Sequence, residues 1–535
     1  MDLRKLTSRI GEQNRKKMVR TFEKGKLVTR GHDCVYNDVR AACARLESWG
    51  LRPGMLVGIL AGNCYEWIVY DLALLEMQAL SVAFTDDFAG MSSDQLIDRY
   101  SLSLLLVPVS EKERKNARQS EAVAFLDGEN SSINAIPREQ PQKDWEFETT
   151  GMVFSSGSSG RLKGLRLWRQ GIEASVDAFT KMADPRPDDC LLLFLPISNF
   201  QQRLMYYSAL WYGVDLIVTD PSRLFRALKE LQPTVLIAPP MLYEAFETRF
   251  YNLPAWKRWM ARVIGRSALA LPQKSLSKKI ARSVFRDAHE ALGGRMRFMV
   301  TGMAPTKRAT LELFRMMQLP LFETYGITEF GGIALNVPGA SKIGSVGRLL
   351  PGVRVEFAED GEIIAMREHR IASTYFECAE GEVEQTFLSR DRLATGDVGR
   401  LDDEGYLYLT GRKKEMIITA GGAKIHPEIP ESAIDACSDV ARSVVFAEPD
   451  APLLAAVVLP RNPDDESARA RIREFVDKLS EQKPAMAFGR VIFSDQAFSR
   501  ENGFLRPNLK LDRRRIAEHF LSGSGNGSKS LARSS

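Results

Sequence analysis

From about residue 35 the chain alternates between helical and strand periods of hydrophobicity, and this alternation restricts its fold more than any other feature. Val39, Ala42, Leu46 and Trp49 repeat at helical spacing, and residues 55–61 then form a short apolar run. The alternation continues to about residue 300, with predicted strands at residues 191–195, 216–219, 234–238 and 296–300 and predicted helices at 224–231 and 241–250. Strands that are apolar on both faces and separated by helices form parallel sheets. The sequence therefore predicts an α/β fold, with a ligand site at the carboxyl ends of the strands.

The length of 535 residues predicts more than one domain, because a single hydrophobic core rarely serves so long a chain. Two strand–turn–strand patterns, at residues 353–365 and 400–409, predict hairpins and hence a small β unit attached to the α/β body. Beyond Arg412 a mixture of helical and strand patterns predicts a separate α+β domain. We expect a large domain over residues 1–412, a small one over 413–520 and a disordered low-complexity tail over 521–535.

The composition argues against several classes of protein. No apolar run approaches the length of about 18 residues that indicates a membrane span, and the basic start lacks the apolar segment of a secretory signal. The six cysteines show no CxxC spacing and the five histidines do not cluster, so neither a disulfide framework nor a zinc site is predicted. The net charge of +5 is small for this length and indicates no nucleic-acid partner. We expect a cytoplasmic protein.

One region has an unusual charge pattern. Between Lys257 and Arg286 there are nine lysines or arginines and no acidic residue, interleaved with apolar residues that begin at Trp256 and Trp259. Such a stretch can rest on an anionic membrane surface, which predicts peripheral membrane contact through residues 256–286. The alternative is a solvated basic face beside an apolar stripe that faces the core. The alternative is favoured, because apolar side chains at helical spacing are most often core.

A loop rich in glycine and serine follows the apolar run at residues 151–154. Its hydroxyls at Ser155, Ser158 and Ser159 can donate hydrogen bonds to an anion. Gly160 permits close approach of the backbone, and Lys163 supplies a positive charge. These features suit a polyphosphate. The spacing differs from GxxxxGK[ST], in which the lysine directly follows a glycine and precedes a hydroxyl residue, so a flexible surface linker is the alternative.

Further segments with chemically informative residues follow this loop in a fixed order. They are Tyr325-Gly-Ile-Thr328-Glu329 at the end of an apolar strand, Thr395-Gly-Asp397 at the start of a predicted hairpin, Gly411-Arg412-Lys-Lys414-Glu415 ahead of Thr419-Ala-Gly421-Gly422-Ala-Lys424, and Phe504-Leu-Arg-Pro-Asn-Leu-Lys510. Together with the loop they resemble the adenylate-forming superfamily of acyl-CoA synthetases, peptide-synthetase adenylation domains and luciferases. The resemblance covers roughly residues 35–515, and the ordered set is far more specific than any single motif.

Within that superfamily the chain looks most like the long-chain fatty acyl-CoA synthetases. The segments Leu195-Pro-Ile-Ser198, Gln232-Pro-Thr234 and Glu501-Asn-Gly503 carry this finer resemblance. It implies an ATP-dependent, AMP-forming ligase that uses Mg²⁺, activates a fatty or similar apolar carboxylic acid as acyl-AMP, and transfers the acyl group to coenzyme A. It also implies a large adenylation domain and a small mobile α+β domain that swings about a hinge between the two half-reactions.

The resemblance implies a role for each matching residue. The phosphates of ATP would be held by Ser155, Ser158, Ser159, Gly160, Lys163 and Thr328, the adenine by Tyr325 with Gly302 and Ala304, and the ribose by Asp397 and Arg412. Glu329 would bind Mg²⁺, Lys414 would be the hinge, Lys510 the catalytic lysine, and Gly421 and Gly422 the loop presented to coenzyme A. The acyl pocket would draw on Asn199, Phe200 and Ala238.

Four positions depart from the family pattern, and plainer interpretations of the motifs remain open. The departures are Leu162, Trp168, Asn199 and Pro430. Taken singly, Tyr325 can be core, Glu329 can cap a turn, Asp397 can begin a turn, and Lys414 and Lys510 can be solvated cations. Two further hypotheses are an acyl-AMP ligase that loads a carrier-protein phosphopantetheine and a catalytically degenerate relative. Against the carrier-protein ligase, the stretch between Glu329 and Asp397 leaves little room for the insertion that such ligases carry before the hinge.

Overall fold

The structure, a computed structural model, describes residues 1–12, 16–108, 122–126, 148–156, 162–448, 451–506 and 511–521. The strands are β1 Met18–Glu23, β2 Lys26–Gly31, β3 Leu56–Ile59, β4 Leu80–Ala83, β5 Leu104–Val107, β6 Val123–Phe125, β7 Thr149–Ser156, β8 Leu162–Trp168, β9 Cys190–Leu193, β10 Asp215–Val218, β11 Val235–Ala238, β12 Phe298–Thr301, β13 Leu321–Ile327, β14 Gly331–Leu335, β15 Gly347–Leu349, β16 Arg354–Phe357, β17 Glu362–Met366, β18 Ala372–Phe376, β19 Arg392–Leu401, β20 Tyr406–Arg412, β21 Ile417–Ile418, β22 Lys424–Ile425, β23 Val440–Ala447, β24 Leu454–Pro460 and β25 Phe488–Phe493.

The α-helices occur between these strands. They are α1 Leu6–Glu12, α2 His32–Ser48, α3 Tyr65–Glu76, α4 Ser93–Tyr100, α5 Arg169–Ala183, α6 Phe200–Tyr212, α7 Leu224–Leu231, α8 Pro240–Tyr251, α9 Ala255–Ala270, α10 Lys274–Val284, α11 Arg286–Ala291, α12 Arg308–Met316, α13 Glu382–Thr386, α14 Glu428–Ile434, α15 Glu466–Gln482 and α16 Arg513–Phe520. Short 3-10 turns occupy Leu3–Lys5, Asp86–Phe88, Pro221–Arg223, Lys413–Glu415 and Pro484–Met486.

The larger of the two main sheets has 13 strands, in the order β16-β17-β19-β20-β15-β14-β13-β12-β11-β9-β10-β1-β2. From β13 to β1 the neighbouring strands are parallel, as the apolar runs predicted. Alternate residues of β9 enter different hydrophobic clusters, with Leu191 and Leu193 on one side and Leu192 on the other. Both faces of these strands are therefore covered, and the predicted α/β class is confirmed.

The predicted small β unit is present, but it is not a separate sheet. Its strands pair in antiparallel fashion and continue the parallel strands, because β14 pairs with β13. Both predicted hairpins occur, as β16–β17 and β19–β20. Thr395-Gly-Asp397 opens the second hairpin as expected, since Asp397 begins the pairing of β19 with β20, opposite Arg412.

The second main sheet has seven strands, in the order β18-β8-β7-β4-β3-β5-β6. Strands β7, β4, β3, β5 and β6 are parallel, whereas β8 and β18 are antiparallel to their neighbours. One large hydrophobic cluster includes Val57 and Leu104 of this sheet together with Leu193 and Val300 of the first. The two sheets thus share a core, and β7 and β8 flank the glycine-rich segment in the sequence.

From Ile417 onward the residues form hydrophobic clusters of their own, around the three-stranded sheet β23–β24–β25. This arrangement agrees with a separate α+β unit, although the boundary at residue 412 stays a prediction. The tail predicted from residue 521 lies outside the described residues, apart from Leu521 itself. Among the helices of the described ranges, none combines the length and the apolar content needed to cross a membrane.

Helix α9 contradicts the expectation that the apolar stripe near residue 260 faces the core. Trp256 and Trp259 are 60% and 66% exposed, and Met260, Val263, Ile264 and Leu269 are also exposed. Its buried residues are Gly265 and Ala268. A Cβ on Gly265 would lie 2.7 Å from Met316 Cγ. The small residues therefore let the helix lie close to the core, and the large apolar side chains point outward.

Candidate functional site

The carboxyl ends of β11, β12 and β13 bring several predicted site residues to one edge of the large sheet. Ala238 pairs with Thr301, and Thr301 pairs with Glu323. Gly302 follows β12 directly, and Tyr325 lies near the end of β13. This is the edge at which open α/β sheets bind ligands.

Tyr325, Asp397 and Arg412 form one hydrogen-bonded group at this edge. The Tyr325 hydroxyl donates to Asp397 Oδ2 at 2.7 Å, and Arg412 Nε lies 2.8 Å from Asp397 Oδ1. Asp397 and Arg412 are cross-strand partners in β19 and β20, which explains their contact. Burial and then the charge of Asp397 raise the pKa of Tyr325 well above its usual value, so its hydroxyl stays protonated. Each carboxylate oxygen has two lone pairs, so Asp397 can still accept hydroxyl groups of a ligand.

Gly302 occupies a position where a side chain has no room. A Cβ there would lie 2.8 Å from Thr324 Cγ2 and 3.1 Å from Thr324 O. The neighbouring Met303 has a φ of +70°, which is uncommon for a residue with a side chain. Ala304 is exposed. Gly302 therefore lies against Thr324, the residue that precedes Tyr325 in β13. This position suits the adenine pocket that the resemblance implies for Gly302 and Tyr325.

Part of the predicted phosphate loop lies outside the described residues, namely Ser158, Ser159 and Gly160. The flanking residues are described: Ser155 in β7 pairs directly with Lys163 in β8. The Ser155 hydroxyl is buried and has no hydrogen-bond partner within the described ranges. A buried hydroxyl without a partner is unfavourable, and it is suited to receive a ligand atom.

Lys163 belongs to a buried cluster that motif analysis did not predict. Its Nζ lies 2.7 Å from Glu382 Oε1 and 4.9 Å from the centroid of the Tyr375 ring. The Tyr375 hydroxyl donates to Glu329 Oε1 at 3.0 Å. Lys163, predicted for phosphate, and Glu329, predicted for Mg²⁺, are thus connected through Tyr375. Glu382 and Tyr375 belong to no motif that the sequence displays, and the contact arises because β18 pairs with β8.

Thr328 and Glu329 occupy the turn between β13 and β14, and both are half-buried. The bond from Tyr375 engages one oxygen of Glu329, and a carboxylate has further lone pairs for a cation. Mg²⁺ is commonly bound by one or two carboxylates together with substrate phosphates. Glu329 therefore fits the metal role that the resemblance implies.

The predicted hinge and coenzyme A loop lie beyond this cluster. Lys414 is exposed in the turn Lys413–Glu415, and its neighbour Lys413 forms ion pairs with Asp360 at 2.6 Å and Glu362 at 2.8 Å. Gly421 and Gly422 are exposed between β21 and β22. Gly422 has a φ of +78°, and its N–H donates to Thr419 O at 2.8 Å, which closes a tight turn. Lys510 lies outside the described residues.

The structure does not join the three residues predicted for the acyl pocket into one lining. Phe200 is 2% exposed and belongs to the core cluster shared by both sheets, whereas the fully buried Ala238 belongs to the cluster on the other face of β9. Asn199 directly precedes α6.

Asn63, a residue that the motifs did not indicate, holds the loop that precedes α6. Its Nδ2 donates to the carbonyls of Leu195 and Thr219 at 2.8 Å each, and its Oδ1 accepts from Ile197 N at 2.8 Å.

The remaining departures from the family pattern have defined positions. Leu162 is half-buried at the start of β8 and packs against the cluster that contains Phe154. The Trp168 backbone N–H donates to Ile371 O at 2.7 Å, and the Arg370 guanidinium lies 5.5 Å from its ring. Pro430 is buried within α14. None of these side chains belongs to the Tyr325–Asp397–Arg412 group or to the Lys163 cluster.

The chain is similar in sequence to named long-chain-fatty-acid–CoA ligases. The long-chain-fatty-acid–CoA ligase FadD15 of Mycobacterium bovis is 25% identical over 545 aligned residues, which cover 91% of this chain and 90% of the relative. Long-chain-fatty-acid–CoA ligase 1 of Homo sapiens is also 25% identical, with 88% of this chain and 78% of the relative covered.

Solved structures share the fold. The anthranilate CoA ligase AuaEII, solved with anthranoyl-AMP, superposes with a TM-score of 0.74 at 18% identity and covers 97% of both chains. The amide bond synthetase McbA from Marinactinospora thermotolerans gives a TM-score of 0.74 at 20% identity, with 96% of this chain and 99% of the other covered. A family model described as AMP-binding enzyme matches residues 12–369, which is more than half of the chain. The protein is therefore a member of the AMP-binding enzyme family, as the ordered motifs predicted.

Proposed function

We propose that the protein is an ATP-dependent, AMP-forming ligase that activates a fatty or similar apolar carboxylic acid and transfers it to coenzyme A. The observation that carries this proposal is the Tyr325–Asp397–Arg412 group beside the carboxyl ends of β11 to β13, in a chain of the AMP-binding family. The names of the curated relatives support the choice of acid and acceptor, since they are long-chain-fatty-acid–CoA ligases.

The residues at the site suit the first half-reaction. Attack of a carboxylate on the α-phosphate of ATP brings two anions together, so cations and fixed donors must offset their repulsion. Lys163 provides a cation that is held in place, and Asp397 provides an acceptor for the ribose hydroxyls. Mg²⁺, when bound at Glu329, would neutralise phosphate charge. Expulsion of pyrophosphate leaves the acyl group on AMP, and a thiolate then displaces AMP to form the thioester.

Lys510, Lys414 and the Gly421–Gly422 turn keep the roles implied by the resemblance as part of this proposal. Lys510 would stabilise charge in the adenylation step, Lys414 would be the hinge, and the turn would face coenzyme A. An acyl carrier protein is the alternative acceptor, because its phosphopantetheine presents the same thiol chemistry as coenzyme A.

The test is pyrophosphate release from ATP and Mg²⁺ with carboxylic acids of increasing chain length. We expect acid-dependent release that requires apolar acids, and thioester formation with coenzyme A in preference to a phosphopantetheinylated carrier protein. Asp397→Asn should raise the KM for ATP about 10- to 100-fold, since hydrogen bonds to charged groups are worth about 1.5–3 kcal/mol. Asp402→Asn is the matched control, because Asp402 pairs with Lys342 elsewhere on the β19–β20 hairpin. Absence of acid-dependent release at every chain length would refute the proposal.

We also propose that the surface formed by α9 and α10 rests on anionic membranes. Its exposed tryptophans, Trp256 and Trp259, are side chains that favour the membrane interface, and the eight basic residues of α9 and α10 attract anionic lipids. An apolar face combined with a positive charge binds at the bilayer surface without crossing it. Such contact would place the enzyme where apolar acids accumulate.

Cosedimentation with lipid vesicles tests this contact. We expect binding to vesicles that contain phosphatidylglycerol, weak binding to pure phosphatidylcholine, and a loss of binding as salt increases. The double variant Trp256→Ala/Trp259→Ala should bind several-fold more weakly. Phe225→Ala is the control, since Phe225 is a 57% exposed aromatic residue on α7. Equal binding by the double variant and the unaltered protein would contradict the proposal.

A further inference from the structure

A continuous set of side-chain contacts connects the predicted phosphate-binding lysine to the predicted metal-binding carboxylate. Glu382 Oε1 lies 2.7 Å from Lys163 Nζ, the ammonium group lies 4.9 Å from the Tyr375 ring centroid, and the Tyr375 hydroxyl donates to Glu329 at 3.0 Å. Glu382 and Tyr375 both belong to the segment 375–387, which also includes α13. One short stretch of chain thus contacts both predicted ATP-site groups.

The position of Glu382 is fixed at both of its oxygens. Oε1 pairs with Lys163, and Oε2 accepts the Ala379 N–H at 3.1 Å. Burial opposes ionisation of this carboxyl, but the hydrogen bonds from Lys163 and Ala379 outweigh burial and lower its pKa. Glu382 is therefore ionised at neutral pH. The side chains of Lys163 and Glu382 are only 9% and 17% exposed, so loss of either partner would leave a charge poorly solvated.

Tyr375 is fixed as firmly as Glu382. Its backbone pairs with Leu165 of β8, two residues after Lys163, and its ring packs edge-on against Phe387 with centroids 5.2 Å apart. Phe387 directly follows α13, so the ring and Glu382 are held by the same segment. The Tyr375 ring face contacts the ammonium group while its hydroxyl reaches the carboxylate, which gives one side chain two neighbours of opposite charge.

We propose that Glu382 and Tyr375 are positioning residues of the ATP site, with Glu382 holding the ammonium of Lys163 and Tyr375 holding the carboxylate of Glu329. The inference rests on the proposed function, which assigns Lys163 to phosphate and Glu329 to Mg²⁺. A lysine ammonium has three N–H donors and Glu382 takes one of them, so donors remain for phosphate oxygens while the pair stays intact. The pair thereby restricts the conformations of the Lys163 side chain before ATP binds, so less conformational entropy is lost on binding.

Substitution of Glu382 tests the first half of the inference. Glu382→Gln keeps the volume of the side chain and removes its charge. We expect the dissociation constant for ATP, measured by calorimetry with Mg²⁺ and without acid, to rise about tenfold, because Lys163 loses its anchor. Glu382→Asp, which keeps the charge, should recover part of the affinity. Glu377→Gln is the matched control, since Glu377 lies in the same stretch of chain and pairs with the exposed Arg99.

Substitution of Tyr375 tests the second half. Tyr375→Phe removes the hydroxyl and keeps the ring beside Lys163. We expect the Mg²⁺ concentration needed for half-maximal ATP binding to rise about threefold to tenfold, because Glu329 loses the group that orients it. The thermal unfolding midpoint of each variant is the control for a general loss of stability. Such a loss would lower ATP binding at every Mg²⁺ concentration and would leave the Mg²⁺ dependence unchanged.

The outcomes separate this inference from the proposed function. An unchanged ATP dissociation constant for Glu382→Gln, with ATP binding by the unaltered protein intact, would overturn the inference alone. Tighter ATP binding by Glu382→Gln would also overturn it, since Glu382 would then compete with phosphate for Lys163. Absence of ATP binding and of acid-dependent pyrophosphate release in the unaltered protein would refute the proposed function and the inference together.

Discussion

At the scale of single residues, Glu323 shows how burial changes the chemistry of a side chain near the site. It lies in β13 two residues before Tyr325, and it is 9% exposed. Burial raises its pKa to about 8, although a backbone hydrogen bond at Gly344 acts in the opposite direction. The carboxyl group is therefore mostly protonated at neutral pH, when an exposed glutamate would be ionised.

We predict that Glu323 makes the protein less stable as the pH rises from about 4.5 to about 8. The folded chain keeps the proton in this window while the unfolded chain releases it. The stabilisation is therefore complete below about pH 4.5 and is lost as the pH rises through about 8. Glu323→Gln should remove this part of the pH dependence. The measurement is the free energy of unfolding in urea across the window, with the exposed Glu312→Gln as control. The same slope in Glu323→Gln and the unaltered protein would contradict the prediction.

Motif residues could be predicted at this scale, but their contacts could not. The sequence separates Tyr325, Asp397 and Arg412 into different motifs, and only the pairing of β19 with β20 and the position of β13 bring them together. Glu382 and Tyr375 could not be predicted as site residues at all. Their proximity to Lys163 depends on the pairing of β18 with β8, which leaves no local pattern in the sequence.

At the scale of elements, a buried ion pair connects helices α3 and α6. Arg203 Nε lies 3.1 Å from Asp71 Oδ2, and the Tyr207 hydroxyl donates to the same oxygen at 2.7 Å. The side chains of Arg203 and Asp71 are 2% and 0% exposed. Because α6 begins directly after Asn199, the pair fixes the helix that starts at the predicted acyl pocket.

We predict that Asp71→Leu destabilises the protein by about 3–5 kcal/mol, because it leaves the guanidinium of Arg203 buried without its partner. Adding Arg203→Met should restore part of the loss, since the double variant buries no unpaired charge. Chemical denaturation of both variants measures the difference. If the two substitutions destabilised additively, the buried pair would not be the source of the effect.

Elements with strong patterns were predicted well from the sequence. The helix expected over residues 224–231 has those bounds as α7, and the apolar runs became β9 to β12 with ends shifted by at most two residues. The Thr395-Gly-Asp397 segment was placed correctly, because Asp397 begins the pairing of β19 with β20. The outward face of α9 was mispredicted, since hydrophobic spacing does not reveal that Gly265 makes the close contact.

At the scale of the whole molecule, charged contacts hold residues beyond 413 against the large part of the chain. Arg442 of β23 lies 2.6 Å from Glu244 of α8, and Lys307 lies 3.7 Å from Asp435. Arg461 pairs with Glu247 and stacks on the Tyr251 ring, with the guanidinium carbon 4.2 Å from the centroid. Helix α8, which carries Glu244 and Glu247, begins two residues after Ala238 at the end of β11. The helix that contacts the smaller part therefore starts beside the candidate site.

We predict that Arg442→Gln loosens this contact and lets the connecting turn at Lys413–Glu415, which is already exposed, unfold more often. The rate of limited tryptic cleavage at Lys413 or Lys414 should rise several-fold, because proteolysis reports the population of opened states. Arg471→Gln is the control, since Arg471 pairs with Asp439 inside the smaller part. Equal cleavage rates for the two variants would show that the Glu244 pair does not hold the parts together.

The architecture of the whole molecule could be predicted only in outline. Alternation of helical and strand periods predicted the α/β class, and the mixture of helical and strand patterns beyond Arg412 predicted a smaller α+β unit. The sequence did not indicate that the β unit would continue the parallel sheet, because the pairing of β13 with β14 depends on the tight turn at Thr328 and Glu329 and not on hydrophobic periodicity.

Strand β13 pairs in parallel with β12 on one side and antiparallel with β14 on the other. Tyr325 therefore lies where the two kinds of pairing meet, with Gly302 after β12 on one side and, through its hydroxyl, Asp397 of β19 on the other. Neither half of the sheet can shift without breaking the ladder of this shared strand. The proposed nucleotide site is thus built on one shared strand, and under the proposed function a change of acid specificity around α6 and α8 can leave that strand unaltered.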